Sequence, residues 1–175
     1  MKIFQQLLKE LRACSEAREW AGDKTIEEVV ETCDRGDWLL WLASRVNVDD
    51  RKLTLAKGLC ANTVRHLMKD KRSIDAVDTA IAYGKWEVGI EALNAAASVV
   101  AASASVVASY AASSASYAAA SASYAASSAA YAASSAASSA DSADSARKEN
   151  QMQTANICRE VIGQEIIEKV NKMLN

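Results

Sequence analysis

The residue types that carry most protein chemistry are sparse in this 175-residue chain and poorly spaced for it. The cysteines fall at Cys14, Cys33, Cys60 and Cys158, and no two form the C-x-x-C pair that a zinc or dithiol redox site uses. Each sits among apolar or helix-forming residues, where a free thiol behaves as a small hydrophobe. His66 is the sole histidine, with no cysteine near it to share a metal. Asp34 and Asp37, and Asp49 and Asp50, are close in sequence. Acid–base work needs carboxylates in a pocket that separates their pKa values, whereas these read more simply as helix caps and surface charges. No glycine-rich phosphate loop occurs. The expected inventory is therefore no catalytic residue, no metal ligand and no cofactor site, and the chain is read as non-enzymatic. The aromatic residues are the sharper signal. Trp20, Trp38, Trp41 and Trp86 all lie in the first half of the chain. A bundle core is their first reading, and a partner-binding patch is the functional one, since aromatic side chains dominate binding hot spots. Trp38 and Trp41 share one face of a short apolar helix and are candidate partner contacts.

The elements that would position these residues are helices. Ile3, Phe4, Leu7, Leu8 and Leu11 recur at three-to-four spacing and predict one amphipathic helix over 3–20, ended by Gly22. Thr25-Ile26-Glu27-Glu28 is a capping box that opens a helix over 26–34. Gly36 breaks it, and Asp37 is expected to cap the segment Trp38–Leu42. Asn47–Asp50 is a turn and cap before a helix over about 50–69, with Leu53, Ala56, Cys60, Val64 and Leu67 on one face. Ser73 is a plausible cap for a helix over 74–83. Gly84 and Gly89 bracket a connection that holds Trp86. No stretch alternates as a sustained strand, and residues 1–90 read as a bundle of five helices. Residues 150–175 form an amphipathic helix with Cys158, Ile162, Ile166, Val170 and Met173 on one face. Such a stripe needs an apolar partner, so this helix is expected to return and complete the bundle.

Residues 91–149 are different. From Ala92 to Ala140, 49 residues carry no charge, and 24 are alanine and 15 serine. Tyr110, Tyr117, Tyr124 and Tyr131 recur every seven residues, and Val99/Val106 and Val100/Val107 keep the same spacing. On a helix turning about 100° per residue, alanines gather on one face and tyrosine, serine and valine on the other. The tract reads as one long helix or a helical hairpin, and its tyrosines join Trp38 and Trp41 as candidate partner contacts. With fifteen serines and no window rich in Leu, Ile or Phe, it does not read as a membrane span.

The net charge is −2, without the basic excess of a nucleic-acid binder. The N-terminal apolar run is short and charged, unlike a signal peptide, and a reducing cytoplasm is the expected compartment.

One combination of motifs points to a family. Thr32-Cys33-Asp34-Arg35-Gly36-Asp37-Trp38-Leu39-Leu40-Trp41-Leu42-Ala43 is followed by Arg51-Lys52-Leu53-Thr54-Leu55-Ala56, then Arg72-Ser73-Ile74-Asp75-Ala76-Val77, then a Tyr-Ala-Ala repeat. This order resembles the alanine-rich, all-helical immunity proteins of phages, prophages and gut bacteria, over about residues 10–165. The resemblance implies a role beside bacterial toxins and brings no catalytic residues. The chain departs from that pattern in carrying serine, and no charge before Asp141, inside the repeats. The expectation is an all-α inhibitor, immunity-like or a phage counter-defence protein, acting by binding a toxin or defence protein. A structural or oligomerisation module built on the tyrosine heptads, and a small-molecule or nucleotide binder, are the alternatives.

Overall fold

The computed structural model describes residues 3–103 and 141–175. Among these the fold is all-α, with no strand. The tyrosine repeat, with Tyr110, Tyr117, Tyr124 and Tyr131 and the choice between long helix and hairpin, lies outside the described residues.

Local capping chemistry sets most helix starts. Helix α3 (Ile26–Thr32) opens with the expected box: the Thr25 hydroxyl accepts from the Glu28 amide at 3.2 Å, and Glu28 accepts from the Thr25 amide at 2.7 Å. Helix α5 (Asp50–Asn62) is capped by Asp49, whose carboxylate accepts from the Arg51 and Lys52 amides. Two expected caps are replaced. The helix over 74–83 begins three residues earlier, as α6 (Lys71–Gly84), because Asp70 accepts from the Arg72 amide and pairs with its guanidinium. Helix α4 (Gly36–Arg45) starts ahead of Asp37, whose carboxylate instead takes two hydrogen bonds from Arg35.

The single helix expected over 3–20 is two, α1 (Phe4–Glu10) and α2 (Ser15–Ala21). Arg12 adopts a left-handed φ of 64°, and the amides of Arg12 and Ala13 fold back onto Lys9 O and Leu8 O. This is a Schellman stop, which satisfies the orphan carbonyls at a helix end. Gln5 then donates to Arg18 O and Gly22 O, tying α1 to the end of α2. The stretch to Gly89 thus holds six α-helices rather than five. The helix expected to reach residue 69 ends at Asn62, with a 3-10 turn at Arg65–Leu67 that leaves His66 and Leu67 exposed. Helix α7 (Ile90–Ser103) packs on α6.

The C-terminal segment runs as α8 (Asp141–Cys158), a π-turn (Arg159–Gly163) and α9 (Gln164–Leu174). Ala155, Cys158, Ile162, Ile166 and Val170 are all buried and join the main core with Leu7, Ile26, Leu39 and Leu42. Met173, expected on this stripe, is exposed, and Leu174 packs in its place. The π-turn makes the junction. Arg159 donates to Val30 O at 2.9 Å and to Cys33 O at 2.8 Å, serving carbonyls at the end of α3. Glu165 accepts from the Asp49 amide and pairs with Lys52 at 3.0 Å, fixing α9 to the start of α5.

Two crossings depend on glycine for closeness. A Cβ at Gly36 would stand 2.5 Å from Thr154 Oγ1 and 2.7 Å from its carbonyl carbon. One at Gly84 would overlap the Leu55 side chain and stand 2.8 Å from Leu55 Cα. Gly84→Ala should therefore destabilise the protein by about 1–3 kcal/mol, the range for forcing atoms into a packed contact, read as a lower urea midpoint. Burial raises the Glu165 pKa, but the Asp49 amide and Lys52 outweigh it and leave it below the ordinary value. Its stabilising contribution is thus present above the unfolded carboxylate pKa of about 4.3 and is lost as pH falls through the lower folded value. Urea midpoints measured from about pH 6 to pH 3 should fall less steeply in Glu165→Gln.

Candidate functional site

Every tryptophan carries a cation. Lys24 lies over Trp20 at 4.5 Å, Arg35 over Trp38 at 4.5 Å, Arg45 over Trp41 at 5.7 Å and Arg51 over Trp86 at 3.8 Å. The four rings nevertheless divide into two very different environments.

Trp20, Trp38 and Trp41 are half-buried and pack against the main core. Trp20 and Trp38 meet edge to face with centroids 5.8 Å apart, a favoured aromatic geometry. All three line a cavity of about 30 Å³ shared with Phe4, Leu8 and Leu42. A water needs about 10–15 Å³ and several polar partners, and these walls are apolar, so they present no polar group to hold a water. Arg35 on Trp38 is itself held by Asp37 at 2.7 Å and Glu16 at 3.4 Å, and the Asp37 hydrogen bond raises its already high pKa. The candidate contacts Trp38 and Trp41 thus pack on the main core while remaining part-exposed, each with an arginine over its ring. The other candidates, Tyr110, Tyr117, Tyr124 and Tyr131, lie outside the described residues.

Trp86 departs from the core reading. It is 76% exposed, the most exposed large hydrophobic side chain among the described residues. It also has a left-handed φ of 66°. Its amide bonds Tyr83 O at 3.1 Å, and the Glu87 amide bonds Ala82 O at 2.9 Å. Trp86 therefore occupies the left-handed position of a Schellman stop, which glycine or asparagine normally fills and which is a clear outlier for a bulky side chain. Arg51 fixes the ring. Its guanidinium stacks on Tyr83 at 4.1 Å and on Trp86 at 3.8 Å, and it donates to Tyr83 O at 2.5 Å and Val88 O at 3.4 Å. The left-handed conformation costs on the order of 1–2 kcal/mol for a non-glycine residue. An exposed cation–π contact returns only about 0.5–1 kcal/mol. Folding alone does not account for tryptophan here. The available sequence signal was its setting between Gly84 and Gly89, beside Lys85 and Glu87, with no apolar stripe to claim it.

The thiols also divide. Cys14 is exposed, while Cys33, Cys60 and Cys158 are buried and free. Burial pushes the Cys33 thiol up. No group of three or more metal-binding side chains clusters among the described residues, and no described helix is long and apolar enough to cross a membrane.

No family model, curated protein or solved structure matches the chain.

The Arg51 clamp can be tested directly. Arg51→Ala removes two ring contacts and two hydrogen bonds from a charged donor, and should destabilise the protein by about 1–2 kcal/mol. Arg51→Lys keeps the charge without the planar fork and should recover less than half of that in urea titrations.

Proposed function

We propose that this chain is a non-catalytic binding protein, immunity-like or counter-defence, that inhibits a toxin or defence protein by direct contact, with Trp86 as an anchor. The carrying observation is Trp86 itself: a large aromatic ring held in solvent, in a backbone conformation that disfavours it, by a stacked arginine. Residues that break a local structural rule without stabilising the fold are those expected at functional sites. Tryptophan and arginine are also the side chains most enriched at binding hot spots. A ring already fixed by Arg51 loses little side-chain freedom on binding, which favours affinity. The resemblance of the 32–43, 51–56 and 72–77 motifs to immunity proteins supports the same reading. A cytoplasmic site of action fits the free thiols, which a reducing compartment preserves.

The test separates binding from folding in one variant. Trp86→Gly places the preferred residue in the left-handed position, so the urea midpoint should hold or rise. If Trp86 anchors a partner, affinity for the toxin or defence protein that the wild-type chain binds should fall about thirty-fold or more, and protection on co-expression should be lost. Unchanged protection and affinity in Trp86→Gly would overturn the assignment. Loss of self-association alone in sedimentation would replace it with an oligomerisation module.

A further inference from the structure

Cys60 on α5 and Cys158 at the end of α8 are separated by 98 positions in sequence, yet their Sγ atoms lie 3.9 Å apart in the core. Each sulfur also reaches a carbonyl of a neighbouring helix, Cys60 to Thr154 O on α8 at 3.7 Å and Cys158 to Gly36 O on α4 at 3.6 Å. A disulfide needs an S–S distance of about 2.05 Å, so roughly 2 Å of approach would be shared between two side chains on helices already in contact. We propose that Cys60 and Cys158 are a peroxide-responsive dithiol that closes to a disulfide and staples the C-terminal helix to α5.

Accessibility orders the steps. Cys60 is 6% exposed and Cys158 is fully buried, so Cys60 meets a small oxidant first. Its thiolate attacks one oxygen of hydrogen peroxide, the O–O bond breaks, and the departing hydroxide takes a proton to become water, leaving a sulfenic acid. The Cys158 sulfur then attacks the Cys60 sulfur. The S–O bond breaks, and the released oxygen leaves as a second water with the Cys158 proton. In sum, two thiols lose two electrons and two protons, and one peroxide becomes two waters. The hydrogen bond with Cys60 and its own burial push the Cys158 thiol up, which keeps it protonated and makes the resolving attack slow. The closed loop, from Cys60 to Cys158, would span the uncharged alanine–serine tract in sequence.

The experiment uses the full chain with Cys14→Ser, which removes the exposed thiol, treated with millimolar hydrogen peroxide for hours. The expected product is lighter by two hydrogens and yields a Cys60–Cys158 cross-linked peptide. Its thermal midpoint should rise by roughly 5 °C or more, and a dithiol reductant should reverse the rise. Cys158→Ala in the same background should give no cross-link and no thermal gain, and Cys33→Ala should retain both. The mass and peptide readouts on the Cys14→Ser chain stand even if a core variant fails to fold. Cys60 and Cys158 still alkylatable after unfolding, under conditions that fully oxidise Cys14 in the wild type, would overturn the proposal. So would oxygen addition without a cross-link, or a Cys33–Cys158 product.

Discussion

The seating of the C-terminal helix in the N-terminal bundle is the interaction on which the rest of the described structure depends. Its buried stripe meets α3, α4 and α5, and its residues form one core cluster with theirs. Burying Ile162, Ile166 and Val170 stabilises the fold by about 1.5–3 kcal/mol each, which together is comparable with the 5–15 kcal/mol typical of a whole domain. Polar contacts then choose the register. Arg159 takes the orphan carbonyls at the end of α3, Glu165 takes the start of α5, and Asn171 donates to Glu27 at 2.8 Å. A shift of one helical turn would leave all three without their partners, while the apolar stripe alone would tolerate it better.

The same seam explains why chemistry is confined to a few places. Small residues at the crossings, Gly36 against Thr154 and Gly163 against Val30, let backbones approach closely. The neighbouring contact of α8 with α5 brings together two thiols 98 positions apart. The aromatic rings of α2 and α4 pack half-buried against the core, each with a cation over it. Trp86 lies beyond the last turn of α6, outside that core, with Arg51 stacked on it.

Local chemistry was readable in advance wherever the deciding atoms lie within a few residues. The Thr25–Glu28 box and the Asp49 cap are hydrogen bonds between positions two and three apart. The Cys158–Val170 stripe is a matter of helical period. Where two nearby groups compete, the pattern was ambiguous. Asp70 starts α6 ahead of Ser73 because a carboxylate can accept from the Arg72 amide and pair with its side chain at once. Asp37 serves Arg35 instead of an amide. The break after α1 was hidden because Arg12 occupies a position where glycine is the usual marker.

By itself, then, the sequence determined an all-helical chain, the starts of α3 and α5, and the buried face of the last helix, because these follow from backbone hydrogen bonding and a repeat of 3.6 residues. Tertiary structure alone decided which tryptophans pack against the core and which one stands mostly in solvent, that Cys60 touches Cys158, and that Arg159 closes α3. Each of these depends on surfaces brought together from positions about 35 to 130 apart in the chain, a distance over which no local periodicity carries information.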